Sequence, residues 1–311
     1  MKALITGGAG FIGSHLAMKF NNADIYDSLT DYYSLKLKNY NKKLIIQKGN
    51  HFFNKDIKYI DLSNSDYEYI FHLAAQPGVR YSVEHPIDVL KTNLISTLEL
   101  LEKIRKSNIE IKRFVFISSS SVFGKIKYLP IDEEHPKDPI SPYGASKLSA
   151  EKYVQNYFLH YGIPTVIIRP FTVVGARQRP DMGLHKFISS MVEDKPLIIY
   201  GDGNQTRDWT HIDNIINGIL LASKKKGAIG ENFNIGNGAK ISVNEVINKI
   251  NSFLNKKYKI INKPRNIADP IDTQADISKA RKILEYNPIK NIDDAIKEQL
   301  YFYLNHRELF N

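Results

Sequence analysis

The sequence predicts an α/β protein built on a doubly wound parallel sheet, with a smaller C-terminal substrate-binding domain. Three observations predict it. Short β-rich runs alternate with longer helical patterns through the first half. A glycine trio sits at the first strand-to-helix turn, and after Pro170 the alternation loosens into loops, isolated strands and separate helices.

Residues 2–6 read as the first strand. The same stretch could open a secretory leader, but the glycines at 7, 8, 10 and 13 break any apolar core and suit a strand followed by a turn. A helix over 12–20 follows, then a strand over 23–26. Residues 69–73, 114–118 and 165–169 read as further strands, and 86–106 and 143–161 as long helices. In the second part, 197–200 and 232–235 read as strands, and 242–254, 277–284 and 292–304 as helices. The division near residue 170 gives a dinucleotide-binding domain of the Rossmann type over 1–170. The rest, 171–311, is mainly substrate-binding, with some segments expected to return to the first domain.

Composition sets the outer limits. With 311 residues, 42% hydrophobic and 24% charged, the chain can bury a large core. It has no cysteine, which excludes disulfides, thiolate metal sites and a thiol nucleophile, and no metal centre is expected. No apolar stretch approaches the roughly 20 residues of a membrane span. A cytoplasmic protein is expected. The net charge of +10 raises a nucleic-acid reading, but the lysines are scattered along the chain. The dense run Lys224, Lys225, Lys226 fits a solvated helix end, so no nucleic-acid partner is expected, whereas an anionic small molecule suits the charge.

Gly7, Gly10 and Gly13 stand at G-x-x-G-x-x-G spacing between a strand and a helix, where the backbone can turn sharply and approach a pyrophosphate. A glycine trio alone also fits a tight turn. Asp27, about twenty residues further on at the end of the next strand, strengthens the reading: a carboxylate there accepts both ribose hydroxyls of NAD and repels the 2′-phosphate of NADP. His72, Leu73, Ala74 and Ala75 close a later strand with small residues, as expected where a backbone lies against a dinucleotide.

Tyr143 and Lys147 form Y-x-x-x-K at the start of a helical stretch, so both side chains leave the same face one turn apart. A free tyrosine has a pKa of about 10, and acting as a base near neutrality requires roughly 3 units less, or about 4 kcal/mol of phenolate stabilisation. The Lys147 ammonium and a positive nicotinamide are the expected sources. An amphipathic helix with a snorkelling lysine gives the same pattern. Position favours chemistry, because Ser118, Ser119, Ser120 and Ser121 follow the 114–118 strand at its C-terminal end, where doubly wound sheets bind ligands.

Together these pieces resemble the extended short-chain dehydrogenase/reductase family, in its NAD-dependent sugar-nucleotide epimerase branch. The resemblance runs from Ala3 to about Leu300 through TGGAGFIGSH (6–15), HLAAQPGVRYS (72–82), FISSSSVFG (116–124), SPYGASK (141–147), GDGNQTRDWTHIDN (201–214) and DTQADISKA (272–280). It implies Ser119, Tyr143 and Lys147 as catalytic residues and NAD as the cofactor. Around NAD it places Gly7, Gly10, Phe11, Ile12, Gly13, Asp27, Asp56, Ile57, Leu73, Ala74, Ala75 and Pro170, with Asn93 near the nicotinamide ribose. Arg207 and Arg265 match diphosphate-binding arginines, and Arg80 and Asp269 fall on the substrate side as well.

Family members that are 4,6-dehydratases carry an Asp-Glu pair after the catalytic Thr. Ser120 and Ser121 stand there instead, so 4-epimerisation is favoured over loss of water. The stretch from Asp27 through Tyr32, Tyr33 and Lys36, together with FTVVGARQRPDM (171–182), is similar to UDP-glucuronate 4-epimerases. There Thr172 and Arg179, with the serines, are implied to hold a C6 carboxylate. A tyrosine usual after the first Val is missing from FTVVGARQ, and the helix between Gly13 and Asp27 is about a turn short. The expected activity is epimerisation of UDP-glucuronate to UDP-galacturonate. UDP-glucose/UDP-galactose 4-epimerase and UDP-glucuronate decarboxylase are the enzymatic alternatives, and a silent dinucleotide sensor the non-enzymatic one. The resemblance also implies a homodimer through the helices at 86–106 and 143–161.

Overall fold

The computed structural model describes residues 2–63, 65–107, 109–265 and 269–310. In chain order the first half contains β1 (Ala3–Thr6), α1 (Phe11–Ala17), β2 (Asp24–Tyr26), α2 (Leu35–Gln47), β3 (His51–Phe53), β4 (Tyr69–His72), α3 (Val79–Glu84), α4 (Pro86–Leu90), α5 (Ser96–Lys106), β5 (Arg113–Ile117), α6 (Pro142–Tyr161) and β6 (Thr165–Pro170). The second half adds β7 (Thr172–Val174), α7 (Gly183–Val192), β8 (Leu197–Tyr200), β9 (Thr206–Arg207), β10 (Trp209–His211), α8 (Ile212–Lys224), β11 (Asn232–Ile235), β12 (Ile241–Ser242), α9 (Val243–Leu254), β13 (Ile260–Lys263), α10 (Ser278–Leu284) and α11 (Ile292–Asn305).

Seven strands form one parallel sheet in the order β11-β6-β5-β4-β1-β2-β3. The order reverses between β1 and β4, and the crevice at the carboxyl ends of those two strands is where such sheets take ligands. Both faces are covered, which is why the strands are continuous apolar runs. Within each run alternate residues serve opposite layers. Leu4, Ile70, Phe114, Phe116 and Ile167 pack toward α5 and α6, while Ile5, Phe71, Val115, Ile117 and Ile168 pack toward α1, α8 and α10. Phe114 and Phe116 are fully buried, each worth roughly 1.5–3 kcal/mol of transfer free energy. A separate apolar cluster under α7, α9 and α11, which includes Trp209, supports the substrate-side elements.

The expected strands and helices are present, with differences that have local causes. The 86–106 stretch is not one α-helix: residues Lys91–Ile95 form a π turn between α4 and α5, and Asn93 sits in it. Helix α6 is held at both ends, by Ser141, whose hydroxyl accepts from Gly144 N at 3.1 Å with Pro142 in the first turn, and by Gly162 at φ 68. Ser242 and Glu245 form a reciprocal cap on α9, and Asn291 and Asp294 do so on α11. Sequence reading passed over α2, β3, α3, α7, α8 and the short strands β7, β9, β10, β12 and β13. Lys224 ends α8, as expected of the lysine run. No helix among the described residues is long and apolar enough to cross a membrane.

Candidate active site

The carboxyl ends of β1, β4, β5 and β6 open onto a cleft of about 790 Å³. This is ample for a nucleotide-sized ligand. Its wall begins at the glycine loop. Gly7 has φ 71, and a Cβ there would stand 2.7 Å from Ala74 N, so only glycine lets the loop close against the end of β4. Gly10, Phe11, Ile12 and Gly13 line the same wall, followed by Asp27, Asp56, Ile57, Leu73, Ala74, Ala75 and Pro170. The Asp27 oxygens accept from Ala9 N at 2.9 Å and Leu29 N at 2.8 Å. Each carboxylate oxygen retains a lone pair for a further donor, so a ribose diol fits.

Behind that wall runs a fixed chain of hydroxyls and imidazole. Thr6 Oγ1 accepts from Leu73 N and Ala74 N, both at 3.2 Å, and therefore donates to His72 Nδ1 at 2.7 Å. His72 Nε2 then donates to Thr97 Oγ1 at 2.9 Å, and Thr97 donates to Asn93 O at 2.7 Å. Burial, reinforced by the Lys147 charge, lowers the His72 pKa to about 3, so the ring is neutral and this tautomer holds. Asn93 itself does not line the cleft. It is fully buried, accepting from Gln76 N at 2.7 Å and donating to Ser146 Oγ at 3.0 Å, so it braces the wall from behind.

In the middle of the cleft α6 meets the end of β5. A Cβ on Gly144 would lie 2.4 Å from Ser121 O, so the missing side chain allows α6 to close onto the serine turn. That approach brings Tyr143 beside Ser119 at the cleft wall. Lys147 is buried, donates to Ile117 O at 2.8 Å and lies 4.8 Å over the Phe116 ring. Burial pushes the Tyr143 phenol above its ordinary value against the opposing pull of Ser119 and Arg179. Burial also lowers the Lys147 ammonium to about 7, with Glu151 opposing. The chain's own groups only partly oppose that rise, so the rest of the expected lowering falls to a cationic ligand beside the phenol. Ser119 Oγ accepts from Ser121 N at 3.1 Å, and Ser120 and Ser121 complete the turn.

Two arginine groupings mark the far side. Thr172 and Arg179 line the cleft near Tyr143, but Arg179 grips Asp181 with both arms, Nε to Oδ1 at 2.9 Å and Nη2 to Oδ2 at 3.0 Å. Burial acts to raise the Asp181 carboxyl, yet the Arg179 guanidinium outweighs it and holds the group below its usual value. Further out, Arg80, Arg207, Arg265 and Asp269 line the cleft, and Arg207 feels the charges of Asp269, Asp272 and Arg265. Arg80 pairs with Asp269 at 3.3 Å and stacks 3.7 Å from the centre of the Tyr200 ring, and Arg207 donates to Thr206 O and Ile271 O. Three guanidinium groups against two carboxylates, Asp269 and Asp272, leave a net positive end, suited to a diphosphate.

The GDP-mannose 4,6 dehydratase family profile matches residues 4–299. The chain belongs to that family, within the extended short-chain dehydrogenase/reductases. A UDP-glucuronate 4-epimerase from Thermodesulfobacterium geofontis is 36% identical over 306 residues, 94% of this chain and 93% of the relative. An uncharacterised UDP-glucose epimerase of Bacillus subtilis is 39% identical over 312 residues, 97% of this chain and 98% of the relative. Among solved structures, UDP-glucuronic acid 4-epimerase from Bacillus cereus in complex with UDP-glucuronic acid and NAD superposes with a TM-score of 0.93 at 37% identity, covering 98% of this chain and 99% of that one.

For a member of this family, sequence reading missed four cleft residues. Asp181 lies inside the RPDM motif and Tyr33 inside the Tyr32-Tyr33 stretch, but neither signalled its partner. Tyr32 OH donates to Asp181 Oδ2 at 3.3 Å, and the buried Tyr33 hydroxyl makes no hydrogen bond among the described residues. Lys38, nearly buried, donates to Thr30 Oγ1 at 3.1 Å near Asp27. Trp209, on the substrate side, donates to Ile241 O at 3.0 Å. Away from the cleft, His211, Asp213 and Glu298 cluster together, and the Lys290 ammonium already meets both carboxylates, at 2.7 Å and 2.6 Å.

Proposed function

We propose that the chain is an NAD-dependent UDP-sugar 4-epimerase that converts UDP-glucuronate to UDP-galacturonate. The observation that carries this is the continuity of the cleft, from Asp27 and the glycine loop past Tyr143 to Arg80, Arg207 and Arg265. In this reading residues 1–170 hold NAD, and residues 171–311 mainly hold the sugar nucleotide, with β11 returning to the main sheet. When bound, NAD supplies reversible acceptance of the C4 hydride. Tyr143 takes the proton of the 4-hydroxyl as that hydride leaves, with Ser119 bridging the sugar oxygen and the phenol. Lys147, fixed to Ile117 O, supports the phenolate. The 4-keto sugar turns over in the cleft, receives the hydride on its other face, and regains its proton from Tyr143, so no outside oxidant is needed. Ser120 and Ser121, in place of a carboxylic acid pair, leave no acid to eliminate water.

A uronic acid oxidised at C4 is a β-keto acid that loses CO2 when its carboxylate bond aligns with the carbonyl. Arg179, Thr172 and the serines hold the carboxylate out of that alignment. The neutral hexose reading is favoured by one specific observation, the closed Arg179–Asp181 pair, which meets the arginine's charge without substrate. Separate incubation with UDP-glucuronate and UDP-glucose, with products identified by NMR, tests the choice: UDP-galacturonate as the dominant product supports the reading, and UDP-galactose alone overturns it.

Asp27→Ala is expected to lower the preference for NAD over NADP about tenfold or more, since a charge-assisted contact to the ribose diol is lost and the repulsion of a 2′-phosphate goes with it. Calorimetric titration of both dinucleotides checks this, and an unchanged ratio moves the ribose contact elsewhere. The proposal includes a cytoplasmic location. It also includes a homodimer. Val83, Ile87, Leu90 and Ile95 on one side and Tyr153, Leu159 and Tyr161 on the other are large apolar side chains left exposed on the α3–α5 and α6 helices, which pack together. Light scattering at micromolar concentration is expected to give twice the chain mass; a monomer refutes this part.

A further inference from the structure

Ala9, in the middle of the glycine loop, is fully buried. Both of its backbone groups are held. Its N–H donates to Asp27 Oδ2 at 2.9 Å, and its carbonyl accepts from Asn41 Nδ2 at 2.9 Å. Asn41 lies on α2, is itself fully buried, and accepts at Oδ1 from Arg177 Nη1 at 3.0 Å. Arg177 is buried too, at φ 63 in the turn after β7, two residues before Arg179. A non-glycine residue in the left-handed region persists only where its surroundings over-determine it. Neither Asn41 nor Arg177 lines the cleft.

We infer that Asn41 and Arg177 are positioning residues for the dinucleotide: through Ala9 they fix the glycine loop against Asp27 and tie it to the segment that carries Arg179. The spacing between the loop, which approaches a pyrophosphate, and Asp27, which meets a ribose, is set by the Ala9 N–H bond. Asn41 holds Ala9 from the opposite side, so that spacing cannot relax. The amide is suited to this because it donates to the loop and accepts from the arginine at once, and each bond is fully desolvated. This rests on the proposed binding of NAD.

The test is calorimetric titration of NAD into nucleotide-free enzyme, with UDP binding followed in parallel by the fluorescence of Trp209, the chain's single tryptophan. Asn41→Leu is expected to weaken NAD about tenfold while UDP affinity stays within twofold. Arg177→Met should weaken NAD about threefold, and the double variant should be no weaker than Asn41→Leu, because the arginine acts through the amide. Asn41→Asp keeps the acceptor for Arg177 but loses the donor to Ala9, so it also weakens NAD and serves if the leucine variant does not fold. NAD affinity within twofold of the parent in either Asn41 variant overturns the inference, as does an equal loss for NAD and UDP, which is general loosening. A parent that binds no NAD overturns the functional reading and this inference together.

Discussion

Tyr143→Phe is expected to lower turnover by 10²- to 10⁴-fold while NAD binds with parental affinity, because only the ionisable oxygen is lost. The size of the effect follows from the number of steps that use that oxygen. The same phenol receives the proton when the 4-hydroxyl is oxidised and returns it when the ketone is reduced, so no half of the cycle escapes. Burial places the Tyr143 phenol above its ordinary value, and Ser119 and Arg179 only partly oppose this. With the Lys147 ammonium itself lowered to about 7, the ligand-free site is poorly poised for base chemistry. The positive charge of an oxidised nicotinamide brought next to the phenol is what readies it, so deprotonation is coupled to cofactor binding. Steady-state rates on UDP-glucuronate, with NAD affinity measured separately, check the prediction. Activity within tenfold of the parent means that the base has been assigned wrongly.

Much of this site was legible because its parts are local. Gly7 and Gly13 flank a single turn, Tyr143 and Lys147 share one helical face, and Ser119 follows directly on a strand; in each case sequence spacing translates into geometry without knowledge of the rest of the fold. What escaped were side-chain orientations and relations between distant segments. Asp181 lies two residues from Arg179 and was visible as a letter in a motif, but that it closes on the arginine depends on side-chain orientation. Asn41 and Arg177 stand far apart in sequence, the first on a helix that was itself passed over and the second in the turn after β7. Helix α2 has lysines and asparagines interrupting its apolar positions, so its period is faint, and α8 is rich in β-branched isoleucine, with Gly218 packed against Ile235 in its middle. Both are held by tertiary packing rather than by local propensity. The π turn at Lys91–Ile95 likewise leaves no mark on a helical pattern, although it is what buries Asn93 between Gln76 and Ser146.

Arg179→Ala is expected to lower kcat/KM for UDP-glucuronate relative to UDP-glucose by 10- to 150-fold, from loss of a charge-assisted contact of roughly 1.5–3 kcal/mol to the C6 carboxylate. The ratio is the quantity to read, not either rate alone. Arg179 pulls the Tyr143 phenol downward, so removing it raises the base's pKa and slows both sugars. Because a base must be deprotonated to act, that shared loss appears as a shift of the acid limb of kcat toward higher pH and cancels in the ratio. The closed pair with Asp181 sets a further condition: a substrate carboxylate must share or replace one of its two bonds. Asp181→Asn is therefore expected to move the ratio in the opposite direction by leaving the arginine's charge unmet. Released CO2 in the alanine variant would report a keto acid held less firmly. An equal loss for both sugars with the acid limb unmoved assigns Arg179 to the diphosphate, and no loss for either leaves it as the partner of Asp181 alone; both results turn the substrate reading to the neutral hexose.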